Sequence, residues 1–130
     1  MDDFVIKIGL EIHVQLKTES KMFCPCKVDV DSEPNKNICP ICTGQPGILP
    51  SPNKKAIYYA ILVSRALNCK IPDFLYFSRK NYFYPDLPKG YQITQYGISI
   101  GSRGEVPVLL DKEIKYFPIE RINLEEETAK

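Results

Sequence analysis

Phe23-Cys24-Pro25-Cys26 and, beyond a polar loop, Cys39-Pro40-Ile41-Cys42 place four of the chain's five cysteines in two close pairs. That spacing suits two knuckles closing on one tetrahedral ion. Zn²⁺ takes four thiolates at about 2.3 Å, and two such pairs reach that geometry with no regular element between them. The connecting residues, Lys27 to Ile38, include Asp29, Asp31, Ser32, Pro34, Asn35 and Asn37, which favour turns and offer little core. A structural zinc site at Cys24, Cys26, Cys39 and Cys42 is therefore expected, with iron as the alternative ion. Four unrelated buried thiols, or two disulfides in a secreted domain, are the competing readings. Met1 is followed by Asp2 and Asp3, with no basic n-region, apolar h-region or small-residue cleavage site, so the start reads as cytoplasmic, where thiols stay reduced. Cys69 has no partner motif and reads as a small core residue.

Upstream of the cysteines, Ile6, Ile8, Leu10, Ile12, Val14 and Leu16 alternate with Lys7, Gly9, Glu11, His13 and Gln15. A period of two predicts a half-buried strand, with Glu11 and His13 on one face about 7 Å apart along it. Downstream, Gly44-Gln45-Pro46-Gly47 is a turn-rich link to Ser51-Pro52, which reads as an N-cap followed by the first helical residue. From there to about Leu67 the pattern is helical, and Asn68 and Pro72 mark its end.

Further on, Arg79 to Gln92 packs three cations, four aromatics and two prolines into one segment. Tyr91 to Tyr96 and Ile98 to Ile100 read as short strands, with Ser102-Arg103-Gly104 as a hairpin turn. Val106 to Leu110 and Ile114 to Phe117 flank Asp111-Lys112-Glu113 as a second hairpin. From Pro118 a last strand puts Ile122 and Leu124 on one face and Arg121, Asn123 and Glu125 on the other. One main helix, several strands and a zinc loop make an α+β domain with a largely antiparallel sheet.

The 130 residues, 44% of them hydrophobic, suffice for one domain with a real core. Seventeen basic against sixteen acidic residues leave a charge of +1, so any nucleic-acid contact must come from a local patch. The longest apolar stretch, near Ala56 to Val63, is too short to cross a bilayer, so no membrane role is indicated.

By spacing alone Glu11 and His13 read as a solvated strand face, and Glu125, Glu126 and Glu127 as an acidic strand end. If the first and last strands share a sheet, however, Glu11, His13 and Glu125 cluster. Two carboxylates and an imidazole suit a divalent ion such as Mg²⁺, which keeps waters and phosphate oxygens in its remaining positions. Arg79, Lys80 and Lys89 can neutralise phosphates, while Tyr82, Tyr84 or Tyr91 can stack on unpaired bases, each stack worth about 1–3 kcal/mol. The plainer alternative is a proline-rich loop whose tyrosines pack on the core.

Gly9-Leu10-Glu11-Ile12-His13-Val14-Gln15-Leu16, Lys21-Met22-Phe23-Cys24, Asn53-Lys54-Lys55-Ala56, Arg79 to Gln92 and Leu124-Glu125-Glu126 together resemble the B subunit of the aspartyl/glutamyl-tRNA amidotransferases. The resemblance implies a catalytic domain similar to the glutamine synthetase and guanidino-kinase fold. It implies a ligase reaction in which ATP phosphorylates the side-chain carboxylate of Glu on tRNA(Gln), or Asp on tRNA(Asn). Glutamine-derived ammonia then displaces the phosphate. It further implies two protein partners in a cytoplasmic heterotrimer, an amidase (the A subunit) and a small C subunit. Glu11, His13 and Glu125 match the family's catalytic Mg²⁺ positions, with Glu126 competing for the last carboxylate. Arg79, Lys80, Tyr82, Tyr84, Lys89 and Tyr91 become candidates for binding ATP or the tRNA acceptor end.

The cysteines, in a loop over 22–44, match a zinc loop that some relatives carry. The family usually has Asp where Glu127 stands and Gly where Ala129 stands. The resemblance also makes residues 1–130 the N-terminal portion of the catalytic domain, without the helical and tail domains that grip tRNA, and so inactive alone. A noncatalytic zinc module that docks tRNA or a partner is the alternative.

Overall fold

The computed structural model describes residues 4–85 and 87–127. Helix α1 spans Lys54–Ala66, followed by strands β1 (Ser78–Asn81), β2 (Tyr91–Thr94), β3 (Gly101–Leu110) and β4 (Glu113–Ile122). β1 pairs antiparallel with β2, and β3 with β4, as two separate two-stranded sheets. The α+β class holds, whereas a single larger sheet does not form among the described residues. The buried side chain of Gln95 explains part of this division. Its Oε1 accepts the N–H of Ile100 (3.1 Å) and of Leu124 (2.9 Å), so a side chain engages two backbone donors that a ladder would use. Ile98 to Ile100 accordingly form no strand.

Asn53, not Ser51, caps the helix. Its Oδ1 accepts from the N–H groups of Lys55 and Ala56, while its Nδ2 donates to the carbonyl and hydroxyl of Ser20 and to the carbonyl of Lys21. An amide serves both ends of that arrangement, whereas a serine hydroxyl supplies one donor. Ser51 instead donates its N–H to Phe23 O (2.9 Å), and Asn53 its own to Met22 O (2.7 Å). The helix start is thereby stitched to the residues around Cys24. At the other end Asn68 adopts φ 53°, a left-handed stop that Asn tolerates.

Ala56, Ala60 and Ser64 form the buried stripe of α1, and their small size admits the backbone of β3. A Cβ at Gly101 would meet Ser64 Oγ at 2.5 Å, and one at Gly104 would meet the Leu67 carbonyl oxygen at 2.5 Å. That carbonyl cannot yield easily, because it accepts the Glu105 N–H at 2.9 Å. Gly104→Ala is therefore expected to lower stability by about 1–3 kcal/mol in denaturant unfolding. Gly9→Ala, where a Cβ meets nothing within 4 Å, should stay within about 0.5 kcal/mol of wild type.

The second hairpin turns through Asp111 (φ 49°) and Lys112 (φ 70°), a two-residue connection with both central residues left-handed, as the right-handed strand twist favours. Ser102-Arg103-Gly104, expected as a turn, lies inside β3. Arg103 (φ 53°) drops out of the pairing, yet the register continues unchanged from Ser102↔Arg121 to Gly104↔Ile119. The expected last strand from Pro118 is the second half of the longer β4, and Glu125 lies beyond its end. The inward-outward alternation still holds there, with Leu124 buried and Glu125 exposed.

Ala60, Ile100 and Leu124 centre the core, with Leu16, Met22, Ile57, Ile61, Leu75, Phe77 and Ile122 packed against it. Phe23 meets Phe77 edge to face at 4.9 Å. The strand expected over 6–16 is not formed among the described residues. Ile6, Ile8, Leu10, Ile12 and Val14 are all exposed, and only Leu16 reaches the core. Alternation specifies which side chains share a face but supplies no hydrogen-bonding partner, and a strand exists only when paired. The Met1-Asp2-Asp3 start, Asp86 and the departure at Ala129 lie outside the described residues. No helix among the described residues is long and apolar enough to cross a membrane.

Candidate functional site

The two cysteine pairs meet. Cys24 and Cys26 sit at the tip of a loop closed by Lys21 N–H to Cys26 O and Val28 N–H to Glu19 O, both 2.9 Å. Cys39 and Cys42 sit on a turn closed by Gly44 N–H to Ile41 O (3.1 Å) and Gln45 N–H to Pro40 O (3.0 Å). The four sulfurs all lie within 4.8 Å of one another, with Cys24–Cys42 at 3.3 Å, Cys39–Cys42 at 3.7 Å and Cys26–Cys42 at 3.8 Å. A tetrahedron of sulfurs about 2.3 Å from zinc has edges of about 3.8 Å, so the donor set fits such an ion. All four are free thiols rather than disulfides. Lys21 donates to Asn37 O (2.9 Å) and places its ammonium 3.8 Å from Cys42 Sγ, offsetting thiolate charge.

Protonation of the loop is uneven. Burial pushes the Cys24 thiol well above its ordinary range, and burial followed by bonds with Cys39 and Cys42 pushes Cys26 up to about 11. Burial acts upward on Cys39 too, but the Cys42 N–H, the Cys26 side chain and the Ile41 N–H outweigh it and bring this thiol down to about 7. Cys39 thus gives up its proton more readily than Cys24 or Cys26, whose protons a bound metal would have to displace. Cys69 lies apart, half-buried, with its thiol raised by burial.

A second cluster joins the chain's two ends. His13 Nε2 lies 3.6 Å from Glu11 Oε1, and His13 Nδ1 lies 3.4 Å from Glu125 Oε1. This happens without the strand pairing expected to bring them together. The group is looser than the cysteines, which are the one set of three or more such ligands within 4.8 Å among the described residues. Thr94 Oγ1 approaches Glu125 Oε2 at 3.4 Å.

Glu126 is differently placed. Its carboxylate pairs with the Lys89 ammonium, its Oε2 accepts the Ile93 N–H (3.2 Å), its N–H donates to Ile93 O (2.9 Å), and its carbonyl accepts from Gln92 Nε2 (2.8 Å). The side chain of Lys89 is 3% exposed, so this cation, expected at phosphate, is spent inside the molecule. Tyr91, expected as a stacking ring, has Arg79 Cζ at 4.7 Å and Lys89 Nζ at 5.3 Å from its centroid. Lys80 lies 5.5 Å from the Tyr82 ring, and Arg79 and Lys80 are exposed on β1. Tyr84 is exposed, as is Phe83, which sequence reasoning did not single out.

Sequence reasoning also missed Asn53, Gly44, Thr94 and Gln95. Buried Gln92, Thr94 and Gln95 were detectable as polar residues clustered within one short, otherwise strand-like run.

The family model described as the GatB/GatE catalytic domain matches residues 6–130. A protein of Thermosipho melanesiensis, named as the B subunit of an aspartyl/glutamyl-tRNA(Asn/Gln) amidotransferase, is 57% identical over 95% of this chain and 25% of its own length. Proteins of the same name from Pseudothermotoga lettingae and Persephonella marina are 54% and 48% identical over 95% and 98% of the chain. They are covered over 26% and 27% of their lengths, so the chain spans about a quarter of these relatives. A match running from residue 6 to residue 130, through both clusters, shows that the chain belongs to the GatB/GatE catalytic domain family.

Proposed function

We propose that this chain carries the ATP-dependent half of a tRNA amidotransferase, activating the side-chain carboxylate of Glu on tRNA(Gln) or of Asp on tRNA(Asn). The observation that carries the reading is the meeting of His13 with Glu11 and Glu125 from distant parts of the sequence. A carboxylate is a poor acyl donor because oxide leaves badly. When its oxygen attacks the γ-phosphorus of ATP, the β,γ-bridging P–O bond breaks, ADP departs and an acyl phosphate forms. Ammonia then attacks the carbonyl carbon, loses a proton and expels phosphate, leaving the amide.

Glu11, His13 and Glu125 are the residues that would hold Mg²⁺, and two carboxylates with an imidazole, all solvent-facing, suit a divalent ion that keeps phosphate and water ligands. When bound, that ion offsets the charge of the phosphates facing an anionic nucleophile. Arg79 and Lys80 lie exposed on β1, available to phosphate oxygens or the acceptor end. Positioning and charge compensation dominate phosphoryl transfer, which is what such groups supply. The cysteine site has four thiolates and no open position, so its zinc is structural. Ammonia is assigned to the amidase partner, with the small C subunit completing the assembly, and the whole domain to a glutamine synthetase-like fold.

Calorimetric titration of ATP·Mg²⁺ into the full chain tests this. Saturable heat is expected for wild type and is expected to vanish in Glu11→Ala. Equal heats from both proteins would remove the cluster from nucleotide binding.

A further inference from the structure

Glu125 carries one of the carboxylates facing His13, and its side chain has two loose contacts at 3.4 Å, His13 Nδ1 on one oxygen and the Thr94 hydroxyl on the other. Its backbone is held far more firmly. On one side, the Leu124 N–H donates to the buried side-chain Oε1 of Gln95 at 2.9 Å. On the other, Glu126 is bound to β2 through Gln92 and both backbone groups of Ile93, and to Lys89, which precedes that strand, through its ammonium. The stem of Lys89 is itself wedged against Gly44 at the end of the cysteine loop, where an added Cβ would meet Lys89 Cβ at 2.6 Å.

We propose that the Lys89–Glu126 pair, with Gln92, is a positioning device that fixes the Glu125 carboxylate beside His13. This rests on the reading of Glu11, His13 and Glu125 as a divalent-ion site. Lys89 and Glu126 then contribute through the backbone they anchor and not by touching phosphate or metal. A buried, paired cation is already committed, and so is a carboxylate with its partners in place. Glu126 is therefore distinguished from Glu125 by where its oxygens are spent.

Charge and position make opposite forecasts for Lys89. Removing a cation near an ion site should tighten cation binding by Coulomb's law, whereas releasing the anchor should weaken it. The test is Mn²⁺ titration of the zinc-loaded full chain, followed by the loss of the free-ion electron paramagnetic resonance signal. Lys89→Met keeps most of the stem against Gly44 and is expected to weaken Mn²⁺ about tenfold. Gln92→Met, which changes no charge and leaves the ion pair in place, is expected to weaken it about threefold. Co²⁺ bound at the four cysteines reports spectroscopically that each variant keeps its loop.

Affinity in Lys89→Met equal to or above wild type, with the Co²⁺ bands intact, would overturn the proposal. Should Lys89→Met lose those bands, unchanged affinity in Gln92→Met overturns it instead. Glu125→Gln separates the underlying reading. If that variant binds Mn²⁺ like wild type, the ion site itself falls, and the role of Lys89 falls with it.

Discussion

Cys42→Ser is expected to release essentially all metal from the chain, dropping zinc from about one ion per molecule to background in elemental analysis, and to unfold the 22–44 loop. Cys42 Sγ lies 3.3, 3.7 and 3.8 Å from the sulfurs of Cys24, Cys39 and Cys26, so its loss opens three edges of the donor set. Structural zinc supplies an apparent 10–16 kcal/mol in small zinc-dependent folds, more than a loop made mainly of turn residues can replace. The damage should reach further than the loop, because Asn53 caps α1 while donating to Ser20 and Lys21, and Gly44 backs Lys89. Lower helix content alongside zinc loss is the expected circular-dichroism result. Full zinc occupancy in Cys42→Ser would refute a four-thiolate site.

The same site should lose metal as pH falls. Protons compete with zinc for each sulfur, and thiols raised by burial, Cys24 and Cys26, compete throughout the neutral range. Cys39, brought down to about 7, adds its proton only as pH falls through that value. Apparent zinc affinity should therefore decline with acidification and decline more steeply below about pH 7, measurable by competition with a chromophoric chelator. Cys39→Ser should remove that steepening together with much of the affinity.

The second large effect concerns Glu11. On the proposed function, Glu11→Ala, assayed with an amidase that supplies ammonia, is expected to reduce ATP-dependent amide formation on misacylated tRNA about a thousandfold. Loss of an ion-holding carboxylate removes several kcal/mol of transition-state stabilisation, and each 1.36 kcal/mol is tenfold in rate. Glutamine hydrolysis by the amidase should persist, since the proposed function puts Glu11 at the phosphoryl-transfer step. Glu125→Gln should behave similarly, whereas Glu113→Gln, at the remote end of the β3–β4 hairpin, should leave the rate unchanged. Full transamidation by Glu11→Ala would exclude Glu11 from the reacting centre.

Some of this architecture is legible from spacing. Two cysteine pairs close to each other along the chain, a helix ended by Asn68, and a hairpin turning at Asp111-Lys112 each depend on neighbours a few residues away, and each appears in the fold. Where spacing misled, the missing information was long-range. Ser51-Pro52 has the local chemistry of a helix start, but Asn53 reaches Ser20 and Lys21 as well as the helix, and those residues lie beyond any local window. The alternation over 6–16 suggested a half-buried strand without naming a partner for it, and with no pairing formed its apolar side chains from Ile6 to Val14 stand as exposed as Glu11 and His13. Lys89 read as a phosphate ligand because lysine usually stays wet, yet here Glu126 meets it inside the protein.

By itself, then, the sequence determined the four-cysteine donor set, the α+β class and family membership, because thiol spacing, periodicity and motif order are properties of the covalent chain. Only tertiary structure decided that Glu125 faces His13 while its neighbour Glu126 turns to Lys89, and that Gln95 engages backbone donors between the two sheets. Adjacent, chemically identical carboxylates cannot be told apart by composition or spacing. Their difference arises when burial removes water and each charged or polar group must find its partner from a distant part of the chain.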